Sequence, residues 1–336
     1  MLHPETGTPR RLRPPRRSSS GPTDRLPGVR LLPAPARDRL RRWVIGVLRR
    51  DEPAPDYDRP LGDPGLFGPD TVTWKIHADF PSMMAGGLGA LMLQALHPLA
   101  LAGVWDHSDF RGDTLGRLRR TIAFVARTTY APHETAERAI ERVRAIHRRV
   151  RGTAPDGRAY SAEDPRLLTW VHCTEAWSFL RGYRTYCHDR VPPAMQDRYL
   201  YETARVAEAL GARQVPKSVS ELETFFHAVR PELACDARTR EVLAVLDTIR
   251  LPIPLAGLSR SLFLGAGAAL LPDWALALMQ RWRFVRLRNR AAARSLKLIA
   301  PSLRAAMAEG GLAWRACART GADYFELFKW PAKDEG

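Results

Sequence analysis

The sequence predicts an all-α fold: one large helical domain over residues 39–330, preceded by a basic tail. Three observations predict it. Beyond residue 38, apolar residues recur at three- and four-residue steps in almost every segment. No segment sustains the apolar–polar alternation of a half-buried strand. Helix-end signals punctuate the chain, and no internal repeat divides it. With 336 residues and 45% hydrophobic content, the chain can bury a sizeable core.

The elements follow in order. Residues 1–38 are rich in Pro, Arg, Ser and Gly and lack an apolar period, so they read as a disordered, solvated leader. Residues 1–50 hold thirteen Arg against three acids, a net of +10 of the chain's +16. No aromatic residues interleave with the tail's arginines and no nucleic-acid-binding motif follows, so nucleic acid is not the implied partner. Helices are expected at about 37–50, 83–104, 114–130, 133–150, 165–188, 194–210, 219–229, 236–248, 273–299 and 301–319. Asp164 can cap the fifth of these, with Pro165 at its first position. Gly211 stands where a left-handed C-terminal cap belongs. Pro155-Asp156-Gly157 is a turn signal.

The stretch "MMAGGLGALMLQALHPLALAGVW" (83–105) is about as long as a membrane span. Gln94, His97 and Pro98 interrupt it, and it reads as the buried central helix of the domain. "LFLGAGAALLPDWALALM" (262–279) is broken at Pro272-Asp273 and reads as two packed pieces. The basic helix "RWRFVRLRNRAAARSLKL" (281–298) is compatible with peripheral contact at a membrane surface. The four cysteines, Cys173, Cys187, Cys235 and Cys317, form no CxxC pair and read as reduced thiols. The N-terminus lacks a secretory h-region, so a cytoplasmic location is expected.

Several chemistries are excluded. "GAGAAL" (265–270) lacks the third glycine of a dinucleotide loop, and there is no P-loop, HExxH or GxSxG. What remains are polar residues on apolar helices. In "AIERVRAIHRRVRG" (139–152), His147 shares a face with Ile140 and Val143 while most of the arginines point elsewhere. An inward imidazole needs a partner: a backbone carbonyl, a carboxylate, a metal or a haem iron. In "DTLGRLRRTIAF" (113–124), Arg117, Arg120, Thr121 and Phe124 fall at steps of three or four. That face is either a solvated edge or a polar patch facing a ligand. In "LLTWVHCTEAWSFL" (167–180), His172 and Glu175 share a face with Leu168 and Phe179. His97 lies in the most apolar stretch, just before Pro98. None of these three histidines has an HxxxH or HxxH partner, so a multi-histidine metal site on one helix is not indicated. A lone inward histidine among apolar helices is how a haem pocket would look.

Four ordered segments carry a resemblance to a known family. They are "LGALMLQALHPLALAGVWDHSDFRGDTLGRLRRT" (88–121), "VRAIHRRVRGTAPDGRAYSAEDPRLLTWVHCTEAWSFLRGY" (143–183), "DRYLYETARVAEALGARQVP" (197–216) and "LLPDWALALM" (270–279). Together they resemble the MpaB-type oxygenases, which share a catalytic domain with the rubber oxygenase called latex clearing protein. The resemblance implies a globin-like helical core with non-covalent haem b. It implies a distal Arg-x-x-Lys-Thr motif, matched here by Arg117 and Thr121, with Arg120 where lysine is expected. The family's axial histidine lies in a Val-Arg-x-x-His context like Val143–His147. Arg117, Arg120 and Thr121 are then the catalytic candidates, Arg117 and His147 the cofactor contacts, and His147 the iron ligand.

Arg120 departs from the family pattern. Lysine can lose its proton when buried and act as a base, whereas arginine effectively cannot. The expectation is therefore a haem-dependent oxygenase acting with O2 and an electron donor on a small apolar substrate, without polyisoprene cleavage carried over. His97, His172 and Glu175 receive no role. Two alternatives are a non-catalytic haem-binding protein and a cofactor-free, membrane-associated helical scaffold.

Overall fold

The computed structural model describes residues 33–48, 55–187, 190–249, 255–280 and 283–330, which form a helical domain with one short hairpin. Helix α1 (Ala34–Leu48) starts inside the stretch expected to be a tail, so residues 34–38 are helical. Residues 1–32 of that tail lie outside the described residues.

The centre of the fold is α3 (Phe80–Gln94). Asp79 caps it, accepting from the Ser82 amide at 3.2 Å, and Pro81 occupies its first turn. Small residues let two neighbours approach its backbone. A Cβ on Gly86 would lie 2.8 Å from the Ser178 carbonyl oxygen of α7 (Pro165–Tyr186). One on Gly267 of α11 (Ala256–Ala269) would lie 2.8 Å from the Ala85 carbonyl oxygen. Thus α3 is held between α7 and α11, with α13 (Arg283–Ala308) packed on α11 and α1 on α13. The buried Asp79 carboxylate pairs with the buried Arg304 guanidinium, tying the start of α3 to α13. Leu88, Leu93, Trp170, Tyr183, Tyr199 and Phe226 form the main core.

The expected helix at 83–104 is two helices. After α3 the chain turns, and α4 (Pro98–His107) leaves at 102°. Pro98 has no N–H to donate and forces the preceding residue out of helical geometry. His97 accordingly sits extended at φ −93°, ψ 110° as the N-cap of α4. Among the described residues no single helix is long and apolar enough to cross a membrane.

Helix α8 (Pro193–Leu210) packs on α7, and α6 (His133–His147) lies between α8 and α5 (Thr114–Tyr130). Helix α8 ends on Gly211 at φ 110°, as expected, and α9 (Val219–Val229) and α10 (Ala237–Leu246) follow. Helix α6 ends at His147, three residues earlier than the sequence predicts. The chain then makes a hairpin, β1 (Arg151–Thr153) against β2 (Ala159–Ser161), closed around the Pro-Asp-Gly turn with Gly157 at φ 84°. Strands of three residues are too short to show an alternation. The same shortness hid α2 (Val72–His77), which Thr71 caps through its hydroxyl. At the C-terminal end the two expected helices are α12 (Asp273–Leu278), α13 and α14 (Leu312–Thr320). Pro301 lies within α13, and the break comes instead at Gly310, which adopts φ 67°.

Candidate active site

A cavity of about 450 Å³ opens between α3, α4, α5, α7 and α8, with the end of α6 and the hairpin at one side. Its walls are mostly apolar: Leu91, Leu99, Val104, Phe124, Leu168 and Val206 are among them. Its polar groups are few, as small-molecule pockets require.

Helix α5 contributes the first set. Asp113 caps it by accepting from the Gly116 amide at 2.9 Å, and this fixes the direction in which the helix enters. Arg117, Thr121 and Phe124, at steps of four and three, reach the cavity. Arg117 donates to Ser108 Oγ at 2.9 Å, and among the described residues no carboxylate pairs with it. Burial, and then the neighbouring Arg120 charge, holds its pKa below the usual arginine value. The Thr121 hydroxyl donates back to the Arg117 carbonyl at 3.3 Å.

Arg120 is not part of this set. Its guanidinium turns outward to Asp113, seven residues back, at 2.8 Å, and both side chains are half-exposed. Arg120 lies at the edge of the face shared by Arg117 and Thr121, and an acid two turns earlier draws it to solvent. The patch read from the sequence is thus two residues and an aromatic ring, with the second arginine outside.

The last residue of α6 supplies the imidazole. His147 lines the cavity, and its buried Nδ1 has no hydrogen-bond partner among the described residues. Burial lowers its pKa, opposed by the Glu163 carboxylate, so the ring is held neutral. The inward reading of His147 fits this placement, although Ile146 beside it is exposed. His172 on α7 lines the same cavity, and its Nε2 is likewise buried without a partner among the described residues. Burial pushes its pKa down to about 4. Glu175, one turn later, also faces the cavity, and burial pushes its carboxyl up to about 7 against a hydrogen bond from Gln94.

His97 does not reach the cavity. It caps the bend, packs its ring against Trp170 at 5.9 Å and places Nε2 3.8 Å from Glu232. Its Nδ1, too, is buried without a hydrogen-bond partner among the described residues. His77, on the unpredicted α2, was missed altogether. Its Nδ1 lies 2.8 Å from Thr129 Oγ1 and its Nε2 3.0 Å from the Tyr199 hydroxyl, so both ring nitrogens are engaged. Burial takes its pKa to about 3. The only sequence signal for it is a threonine cap followed by Val72, Trp74 and Ile76.

The arrangement offers an apolar cavity whose wall holds one guanidinium without a carboxylate partner among the described residues and two histidines, His147 and His172. Among the described residues no three His, Cys, Asp or Glu side chains converge to cage a bare metal ion.

Comparison with known proteins returns no matching curated protein and no matching solved structure. One family matches residues 74–305: the catalytic domain of the ER-bound oxygenase mpaB/B' and rubber oxygenase. That match contains every residue lining the cavity, runs from within α2 almost to the end of α13, and covers well over half of the chain. The chain therefore belongs to the mpaB/rubber oxygenase catalytic-domain family, a family of oxygenases.

Proposed function

We propose that this chain is a haem b-dependent oxygenase acting on an apolar substrate. The observation that carries the reading is the pairing, in one apolar cavity, of a half-buried imidazole at His147, whose buried Nδ1 has no hydrogen-bond partner among the described residues, with a half-buried guanidinium at Arg117 that no carboxylate among them neutralises. Each is costly to bury alone, and each would be satisfied by one half of a haem.

Bound haem would supply the redox chemistry on oxygen. The chain's own residues would do the rest. His147, kept neutral by burial, is in the form that ligates metal and would hold the haem iron. Arg117 would complement negative charge, either on the group's carboxylates or developing on oxygen. Thr121, beside it, can turn its hydroxyl toward the cavity. Phe124, Leu91 and Leu168 exclude water and leave an apolar surface for substrate. Arg120, paired with Asp113 outside, makes no direct contact in this reading. Turnover would consume O2 with an external reductant, or without one if the substrate offers a cleavable double bond.

A peripheral membrane location would suit an apolar substrate. On α13, Leu287 and Leu298 are exposed and eleven residues apart, so they share an outward face with exposed Arg290 and Arg294 between them. We propose a cytoplasmic protein that touches membranes through this face, with binding that weakens as salt rises.

Absorption spectroscopy of protein from haem-replete cells tests the reading. A Soret band together with substrate-dependent O2 consumption is the expected result. A Soret band without O2 consumption would favour a haem carrier. No Soret band would overturn the proposal and leave a helical scaffold.

A further inference from the structure

A second cavity of about 190 Å³ lies beside the first. Leu91, Gln94, Leu118, Thr121 and Glu175 line both, so the two share a wall in which leucines stand among polar side chains. Away from that wall the second cavity is built from Phe80, Met83, Met84, Phe179, Met307 and Trp314. Methionine and aromatic side chains adapt to an apolar chain and offer nothing that would recognise a charge. Its one imidazole, His77, already spends both nitrogens on Thr129 and Tyr199.

The shared wall differs. Glu175 places a carboxyl between two apolar spaces, deep in the domain. Gln94 from α3 hydrogen-bonds to it, Tyr199 from α8 stands close enough to feel its charge, and His172 is on its own helix. Among the described residues no cation faces it. A carboxyl in such a place is costly unless something entering the cavities completes its hydrogen bonding. A plain hydrocarbon cannot do so.

We propose that the second cavity, with the wall it shares with the first, binds a long apolar chain bearing a hydroxyl or carbonyl oxygen, which Glu175 and Gln94 hydrogen-bond at the junction. The substrate class is then a long-chain alcohol, aldehyde or ketone. Its tail occupies the methionine-lined cavity and its oxygen function lies beside Thr121. The inference rests on the proposed function for what happens to the chain, but not for its binding. Burial raises the Glu175 carboxyl to about 7, so near neutrality it carries a proton for part of the time and can donate as well as accept.

The test compares two probes, 1-dodecanol and dodecane, by calorimetric titration of the protein as purified. In wild type the ratio of their dissociation constants sets a baseline. Glu175→Leu should weaken the alcohol and strengthen the alkane, lowering the alcohol preference about tenfold or more. Gln94→Leu should move the ratio in the same direction. Ala126→Trp, which fills the second cavity from α5, should weaken dodecanol about tenfold while leaving 1-hexanol unchanged. Ratios that stay within twofold of wild type in Glu175→Leu or Gln94→Leu protein with native circular dichroism would overturn the inference, as would an Ala126→Trp variant that binds dodecanol normally. A sample without a Soret band that still shows the fall supports this inference and overturns only the proposed function. A haem-loaded sample with an unchanged ratio overturns this inference alone.

Discussion

Replacing Arg117 by leucine separates a cation held for a ligand from one that braces the fold. Among the described residues Arg117 makes one hydrogen bond, to the neutral Ser108 hydroxyl at 2.9 Å, and it is half-buried near a second positive charge. Breaking a buried ion pair costs about 3–5 kcal/mol because it leaves a charge alone, but among the described residues no such pair exists here to break. Losing one neutral-acceptor hydrogen bond costs about 1 kcal/mol. Removing the buried charge and its repulsion from Arg120 offsets a cost of similar order. Cofactor-free Arg117→Leu should therefore lie within about 1 kcal/mol of wild type, a Tm shift of no more than about 2–4 °C. Haem binding should respond quite differently. A charge-assisted hydrogen bond contributes about 1.5–3 kcal/mol, so haem affinity should fall roughly tenfold to a hundredfold. Arg117→Lys should recover part of it. Calorimetric melting of the cofactor-free protein and Soret-monitored haem titration measure the two effects. A variant that loses 3 kcal/mol of stability while keeping its haem affinity would show that Arg117 is a strut.

Three other outcomes follow from the packing and the buried ionisable groups. Asp79→Ala removes both the cap of α3 and the partner of buried Arg304, so urea unfolding should show a loss of about 3–5 kcal/mol; a loss under 1 would contradict the pairing. Gly86→Ala places a methyl 2.8 Å from the Ser178 carbonyl oxygen and should cost about 1–3 kcal/mol, whereas Gly87→Ala, whose Cβ meets only Phe179 at 3.6 Å, should be neutral or gain up to about 1 kcal/mol; equal effects would refute the close approach of α3 and α7. His77 and His172, held to about 3 and about 4, refuse protons that the unfolded chain accepts below about 6.5, so stability falls on acidification by about 1.4 kcal/mol per pH unit for each. Glu175, raised to about 7, acts in the opposite sense between pH 4.5 and 7, because the folded chain keeps a proton that the unfolded chain releases. Glu175→Gln should therefore steepen the loss between pH 4.5 and 6.5; superimposable profiles would show that Glu175 is not protonated there.

The long amphipathic helices were legible because their period and caps survive in the sequence: Asp113, Asp164 and Gly211 each do what their residue type implies. The continuous reading of 83–104 failed because hydropathy does not register a bend. Pro98 marks the bend, but only its effect on His97 gives the 102° angle. Helix α2 and the hairpin were too short for any period. In the site, Arg117, Thr121 and His147 were visible as interruptions of apolar faces and do meet at one cavity. Arg120 was misplaced because helical phase alone cannot tell an edge position from an inward one when Asp113 competes for the side chain. Glu175 and Gln94 were visible, but their meeting across α3 and α7 depends on the close glycine contact between those helices. The second cavity draws on α2, α3, α5, α13 and α14, elements far apart in sequence, and no local pattern announces it.

Two histidines that line the main cavity, His147 and His172, each keep a buried ring nitrogen without a hydrogen-bond partner among the described residues, and the account rests on the first being the iron ligand. The most direct measurement is the Soret spectrum of haem-loaded wild type, His147→Ala and His172→Ala, each checked by helical circular dichroism. The account predicts that His147→Ala loses most of its haem or shifts the band, with partial recovery on adding imidazole. It predicts that folded His172→Ala keeps the wild-type spectrum. Loss of ligation in His172→Ala with a wild-type spectrum in His147→Ala would contradict it and move the axial ligand to α7.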